Sequence, residues 1–193
     1  MSRTARRSIP RPLAFAVAAL AAVALAWPLA QTAAAGPAEP EVPSTIRVEA
    51  GHKLFLLAHA VGVQIYRCDP AGDAYAWRLV APRADLFDSH GKLIATHFAG
   101  PTWKANDGSS VMGRRVDGVN VDPTAIDWLL LQAHSPMTGA DGGDRLTHAS
   151  YIQRINTAGG RAPAATDCTA ETSGVTAETP YTADYAFWKP LGS

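Results

Sequence analysis

The sequence is sparing with the residues that announce chemistry. It holds two cysteines, three methionines and 18% charged residues in a chain of 193. Two isolated cysteines without a Cys-x-x-Cys spacing make a poor zinc or dithiol redox motif. There is no Gly-x-Ser-x-Gly nucleophile elbow, no His-Glu-x-x-His zinc helix, no phosphate loop and no strand-linked dinucleotide glycine motif. These absences remove the readily recognised hydrolase, metalloprotease, nucleotidase and dinucleotide engines, and leave only an enzyme assembled from scattered residues. No internal repeat and no second domain can be discerned.

Acidic residues are missing altogether from the first 35 positions, which carry Arg3, Arg6, Arg7 and Arg11. An almost unbroken apolar run, Leu13 to Ala30, follows the basic head and leads to Ala33-Ala34-Ala35 before Gly36-Pro37. Basic head, apolar middle and small-residue cleavage site are the three parts of a secretory signal peptide, here residues 1–35. An uncleaved anchor is the alternative, since the run approaches the roughly 20 residues that span a bilayer. Pro28 and the alanine triplet favour cleavage near Ala35, with no permanent membrane anchor. No cysteine follows the run to take a lipid, and Arg6-Arg7 with Pro10 and Pro12 fits a twin-arginine signal poorly. The expected location is therefore periplasmic or secreted. Without its signal the chain has 13 basic against 17 acidic residues, a net charge of −4, which disfavours nucleic acid as a partner.

An oxidising compartment changes the reading of Cys68 and Cys168, which are expected to form a disulfide bond. The bridge would tie an early strand to the weakly patterned stretch Ala162 to Pro180. Residues 36–44, rich in Pro and small side chains, read as a flexible leader, and residues 45–190 as a single β-rich domain.

Short apolar or alternating runs recur along that domain. Strands are expected at Thr45 to Glu49, Lys53 to Ala60, Val63 to Cys68, Ala74 to Val80, Lys92 to Phe98, Pro101 to Ala105, Ser110 to Arg115, Trp128 to Leu131, Thr147 to Asn156 and Tyr181 to Trp188. Gly62 reads as a turn between two of them, and Ser135 to Asp144 as a loop. Asp122-Pro123-Thr124-Ala125-Ile126 has the cap and first-position proline of one short helical turn. The fold class is mainly β, an antiparallel β-sandwich or β-barrel-like domain.

An ordered set of motifs now stands out: Gly62-Val63-Gln64-Ile65-Tyr66-x-Cys68, Ala84-Asp85-Leu86-Phe87-Asp88, Thr96-His97-Phe98-Ala99-Gly100-Pro101-Thr102-Trp103, Asp107-Gly108-Ser109, Tyr151-Ile152-Gln153-Arg154-Ile155-Asn156-Thr157-x-Gly159-Gly160, and Pro180-Tyr181-Thr182-Ala183-Asp184-Tyr185. From about Val42 to Trp188 the chain resembles the bacterial and fungal family known as domain of unknown function 3455. The resemblance implies an exported single domain with two cysteines and transfers no catalytic residue.

Candidate site residues concentrate between Thr96 and Asp107. His97 is a candidate base or ligand, although a histidine on a strand is more often packed and hydrogen-bonded. Trp103 is a candidate sugar-stacking platform if exposed, and otherwise a core or rim aromatic. Tyr181 and Tyr185, on one face of the last strand, are the other binding candidates. Asp85 and Asp107 are the carboxylates that a catalytic His97 would use. Asp88, three residues from Asp85, suits turn capping better than paired acid–base work. Asp117, Asn120 and Asp122, and separately Asp141 and Asp144, lack the ligand order of a calcium loop, so neither a metal nor a cofactor is called for. The leading functional expectation is a non-catalytic envelope or extracellular binding domain for carbohydrate or a small molecule. Its rivals are a hydrolase built on His97 and a structural or stress-related envelope protein. Exported material should begin at Gly36 and weigh as 158 residues. Intact-mass spectrometry checks this, and a full-length species retained in membranes would identify the apolar run as an anchor instead.

Overall fold

The structure is a computed structural model that describes residues 37–193; the expected signal segment lies outside the described residues. Eight antiparallel strands follow one another in order and close on themselves: β1 (His52–Ala71), β2 (Ala74–Phe87), β3 (Leu93–Phe98), β4 (Thr102–Ala105), β5 (Ser110–Val119), β6 (Trp128–Met137), β7 (Tyr151–Gly159) and β8 (Thr176–Pro190). Of the two architectures left open by the sequence, the chain forms the barrel. Closure comes from β1, which pairs with β2 along one side and with β8 along the other, from His52↔Pro190 to Arg67↔Thr176.

Two expected strands, Lys53 to Ala60 and Val63 to Cys68, are one continuous strand of 20 residues. Gly62, expected as a turn, lies within it because the neighbouring backbone leaves no room for a side chain. A Cβ there would sit 2.2 Å from the Arg83 carbonyl oxygen and 2.5 Å from Ala84 Cα. Close backbone approach is one of the few reasons for a glycine inside a strand.

From Ala58 onward, alternate residues of β1 point inward: Ala58, Ala60, Gln64, Tyr66 and Cys68 are buried. Ala58 and Ala60 join Leu86 of β2, Val111 of β5, Ile152 of β7 and Phe187 of β8 in one core, the last four each buried to within 1%. Each such side chain contributes roughly 1.5–3 kcal/mol relative to exposure. A bulge between Leu54 and Leu56 reverses the alternation, so that Leu54 packs outside with Ala186 and Trp188.

Thr45 to Glu49 does not form the expected strand. Ser44–Ile46 is a single 3-10 turn, and Ile46, fully buried, packs on Leu130 and Ile155 with Val42 beside it. Gln153 supports this outer layer: its Nε2 donates to the Ile46 carbonyl at 2.7 Å and its Oε1 accepts from Trp188 Nε1 at 2.8 Å. The helical turn expected at 122–126 is also replaced, by a hydrogen-bonded turn in which Asp122 Oδ1 accepts from the Thr124 amide at 2.7 Å. It cannot propagate because the next backbone groups are committed elsewhere. The Ile126 amide donates to Gly159 O, and the Ile126 carbonyl accepts from Thr157 Oγ1. A second 3-10 turn, Ala165–Asp167, precedes Cys168.

Cys68 and Cys168 are joined, with their Cα atoms 5.4 Å apart and a separation of 100 positions in sequence. The bridge holds the 160–175 connection against the far end of β1, where Cys68 also exchanges backbone hydrogen bonds with Gly174 and Val175. In the chain-entropy picture, opening a loop of this length costs up to ~4.7 kcal/mol. Urea unfolding of the Cys68→Ser/Cys168→Ser variant should show a loss approaching that figure, and alkylation of native protein without reductant should leave both thiols unlabelled. Labelling of both would refute the bridge.

Candidate ligand-binding site in the barrel

The barrel wall is uneven. β3 and β4 have six and four residues, whereas β2 and β5 on either side have 14 and 10. β3 therefore reaches only the Ala84–Phe87 half of β2, and β4 pairs with β5 only from Ser110 to Met112. Above the short hairpin the wall has a notch. Its sides are Leu79–Pro82 of β2 and Met112–Arg115 of β5, and its sill is Gly100-Pro101. Behind it lies a cavity of about 540 Å³, running from exposed Leu79, Val80 and His134 to buried Gln64, His97, Trp103 and Tyr185.

The floor is an aromatic stack. His97 and Trp103, directly paired across β3 and β4, lie parallel with centroids 4.3 Å apart and planes 9° from each other. Tyr185 meets both edge-on, at 5.1 and 5.3 Å. Gly113 makes the arrangement possible, since a Cβ there would come within 2.9 Å of the Trp103 ring. His97 Nδ1 donates to the Thr102 carbonyl at 2.9 Å, which fixes the neutral tautomer with Nε2 as an acceptor. Burial drives the imidazole down to about 3; the Thr102 bond opposes this and the Arg154 charge adds to it. Burial likewise raises the Tyr185 and Tyr181 phenols, whose hydroxyls lie 3.3 Å apart, so both stay protonated.

Polar atoms in this interior are incompletely satisfied. Trp103 Nε1 and Gln64 Nε2 are fully buried and have no hydrogen-bond partner among the described residues. An unmet buried donor of this kind costs about 1–3 kcal/mol. Arg154, on β7, reaches the same cavity, with Nε and Nη2 both donating to the Asp127 carbonyl at 3.0 and 2.8 Å.

The sequence candidates divide cleanly. His97, Trp103 and Tyr185 come together at the cavity, and Tyr181 stands behind Tyr185. Trp103 is 1% exposed with His97 over one face, so it is no open platform for a sugar. Asp85 does not join them: it is exposed and pairs with Thr96, one residue out of phase with His97, which faces Ala84. Asp107 is also elsewhere, accepting from Ser109 Oγ at 2.6 Å and from the Arg145 amide at 2.9 Å. Burial pushes the pKa of its carboxyl up, but those hydrogen bonds outweigh it and hold the carboxyl below its ordinary value. Neither carboxylate pairs with His97, and a histidine this hard to protonate is a weak general base near neutral pH. Asp88 caps the β2–β3 turn through the His90 and Lys92 amides. No group of three or more His, Cys, Asp or Glu is gathered for a metal among the described residues.

A family model described as "Protein of unknown function (DUF3455)" matches residues 49–189. The chain belongs to that family. No curated protein and no solved structure matches it. The DUF3455 span takes in the barrel strands from β1 through nearly all of β8, and with them every residue of the aromatic floor.

Sequence reasoning missed Gln64, Arg154 and Gly113, although the first two stand in motifs already noticed. The usable signal for Gln64 was strand phase, since it shares a face with Tyr66 and Cys68.

His97 supplies a pH test. The unfolded chain takes up its proton near 6.5 and the folded chain only near 3, so the unfolded state binds more protons between those values. The contribution is complete above 6.5 and is lost as pH falls toward 3, at about 1.4 kcal/mol per pH unit. His97→Asn can keep the bond to Thr102 but does not titrate. The stability difference between wild type and variant, from urea unfolding between about pH 4 and 7, should therefore fall with acidification. A flat difference would rule out a neutral buried His97.

Proposed function

We propose that this DUF3455 protein is an exported, non-catalytic binding barrel that holds a small molecule in its interior. The observation that carries the reading is the notched cavity of about 540 Å³, apolar along its walls and fitted with buried, unpartnered hydrogen-bond donors. Pockets for small ligands have this size and this mixture, a mostly apolar lining with few polar groups that fix orientation. An eight-stranded barrel has an interior just wide enough to be filled by side chains or to hold one small ligand. Here the short β3–β4 hairpin favours the second outcome.

The reading favours a compact molecule over an oligosaccharide, because the aromatic rings are covered by one another and present no open stacking face. It also favours a barrel in water. His59, Arg83, Asp85, Lys104 and Glu178 are exposed in mid-strand, where a lipid-facing barrel needs an apolar band. No helix among the described residues is long and apolar enough to cross a membrane. A purely structural envelope role leaves the cavity and its donors without a purpose.

A thermal-stability screen of the purified protein against glycans, metal salts and small metabolites tests the proposal. An occupant at about 100 times its dissociation constant adds roughly 2.7 kcal/mol and raises the melting temperature by about 5–10 °C. Stabilisation by glycans alone, or by nothing in a chemically broad panel, would sink the reading.

A further inference from the structure

The charges around the cavity narrow the class of ligand. Three arginines line it, Arg114, Arg115 and Arg154, together with His97 and His134, and no Asp or Glu does so among the described residues. Two of the arginines are engaged at the rim. Arg114 Nη2 donates to Gln132 Oε1 at 2.6 Å, and Arg115 Nη2 lies 3.7 Å from Asp127 Oδ2.

Arg154 is different. It is half-buried, it donates to the Asp127 carbonyl and lies within hydrogen-bonding influence of the Tyr185 hydroxyl, and it enters no ion pair among the described residues. Asp127 offers Arg154 its carbonyl while its carboxylate faces Arg115. Leu129 stands directly across from Arg154 in the β6–β7 register, so apolar wall and cation are adjacent. The cation's influence reaches inward, since it acts on the titration of His97, Tyr66, Tyr181 and Tyr185. A cation held in a partly apolar interior without a carboxylate is normally neutralised by something, because an unpaired buried charge is expensive.

We infer that the ligand is a compact amphiphilic acid, its anionic head taken by Arg154 and its apolar body lying along Leu79, Val80, Met112 and Leu131. This rests on the proposed cavity-binding function and adds the ligand's charge to it. Guanidinium–carboxylate pairing supplies charge-assisted hydrogen bonds that a neutral head cannot match. The acceptor Nε2 of neutral His97 does not suit an anion, and neither does Gln64 Oε1, so the head belongs on the Arg154 side.

The test compares decanoate with decan-1-ol, which share a chain and differ in the head, by calorimetric titration of the purified protein. Decanoate should bind about tenfold or more tightly than the alcohol. Added sodium chloride should weaken the acid and leave the alcohol unchanged. Arg154→Gln should abolish the preference while retaining binding of the alcohol, and Arg154→Lys should restore part of it. Equal affinities in the wild type, or a preference insensitive to both salt and Arg154→Gln, would overturn the assignment of charge and leave cavity binding standing. Binding of neither compound would overturn the cavity reading with it. The wild-type comparison and the salt series decide the matter even if the Arg154 variants fail to fold.

Discussion

The pairing of β1 with β8 is the constraint from which the remaining features descend. It turns a meander of hairpins into a closed wall, and closure has two consequences that pull against each other. The terminal strands β1 and β8 lose their open edges, and unpaired ladder remains only at the notch, where β2 and β5 overreach the short hairpin. The interior becomes a fixed volume that side chains must fill, because strand number sets the width of the tube. Below the notch they do so, with Phe187, Leu86, Ile152 and Val111 in contact around the axis. Beside the β3–β4 hairpin the wall is too short to complete the enclosure, and the filling stops at the stacked rings of His97 and Trp103.

The polar residues left in that space behave as a low-dielectric site requires. His97 gives up its charge and keeps a hydrogen bond, and Tyr181 and Tyr185 keep their protons. Arginine cannot make the same concession, since it does not lose its proton in proteins. Arg154 is therefore the one member of the interior group whose charge has to be answered from outside its own side chain, and the Asp127 carbonyl answers it with a dipole.

Much of the architecture could be read from residue order. Alternation in Tyr181, Ala183, Tyr185 and Phe187 grouped them on one face, which is a buried face of β8, and the types of His97 and Trp103 drew attention to the hairpin that forms the cavity floor. What escaped has physical reasons. Gly62 looks like punctuation in one dimension, and only the Arg83 carbonyl opposite shows that it is spacing between two strands. In β7 both faces are buried, one by the barrel and the other by the segment around Ile46, so Gln153 and Arg154 carry no visible alternation. The notch depends on a difference between strand lengths. Such a difference belongs to no single residue, and the expected strand limits at Val80 and Arg115 concealed it by ending β2 and β5 too early.

That difference in length also makes the opening adjustable by a simple means. A strand advances about 3.3 Å per residue, so two residues added to each arm of the β3–β4 hairpin would raise the sill by roughly 7 Å and two removed would lower it as much, with the β1–β8 seam, the disulfide and the aromatic floor untouched. A turn on the surface is where chains tolerate insertion and deletion most readily. The barrel thus separates the part that confers stability from the part that sets aperture. The height of the opening is in this sense counted in residues, while the floor beneath it stays fixed.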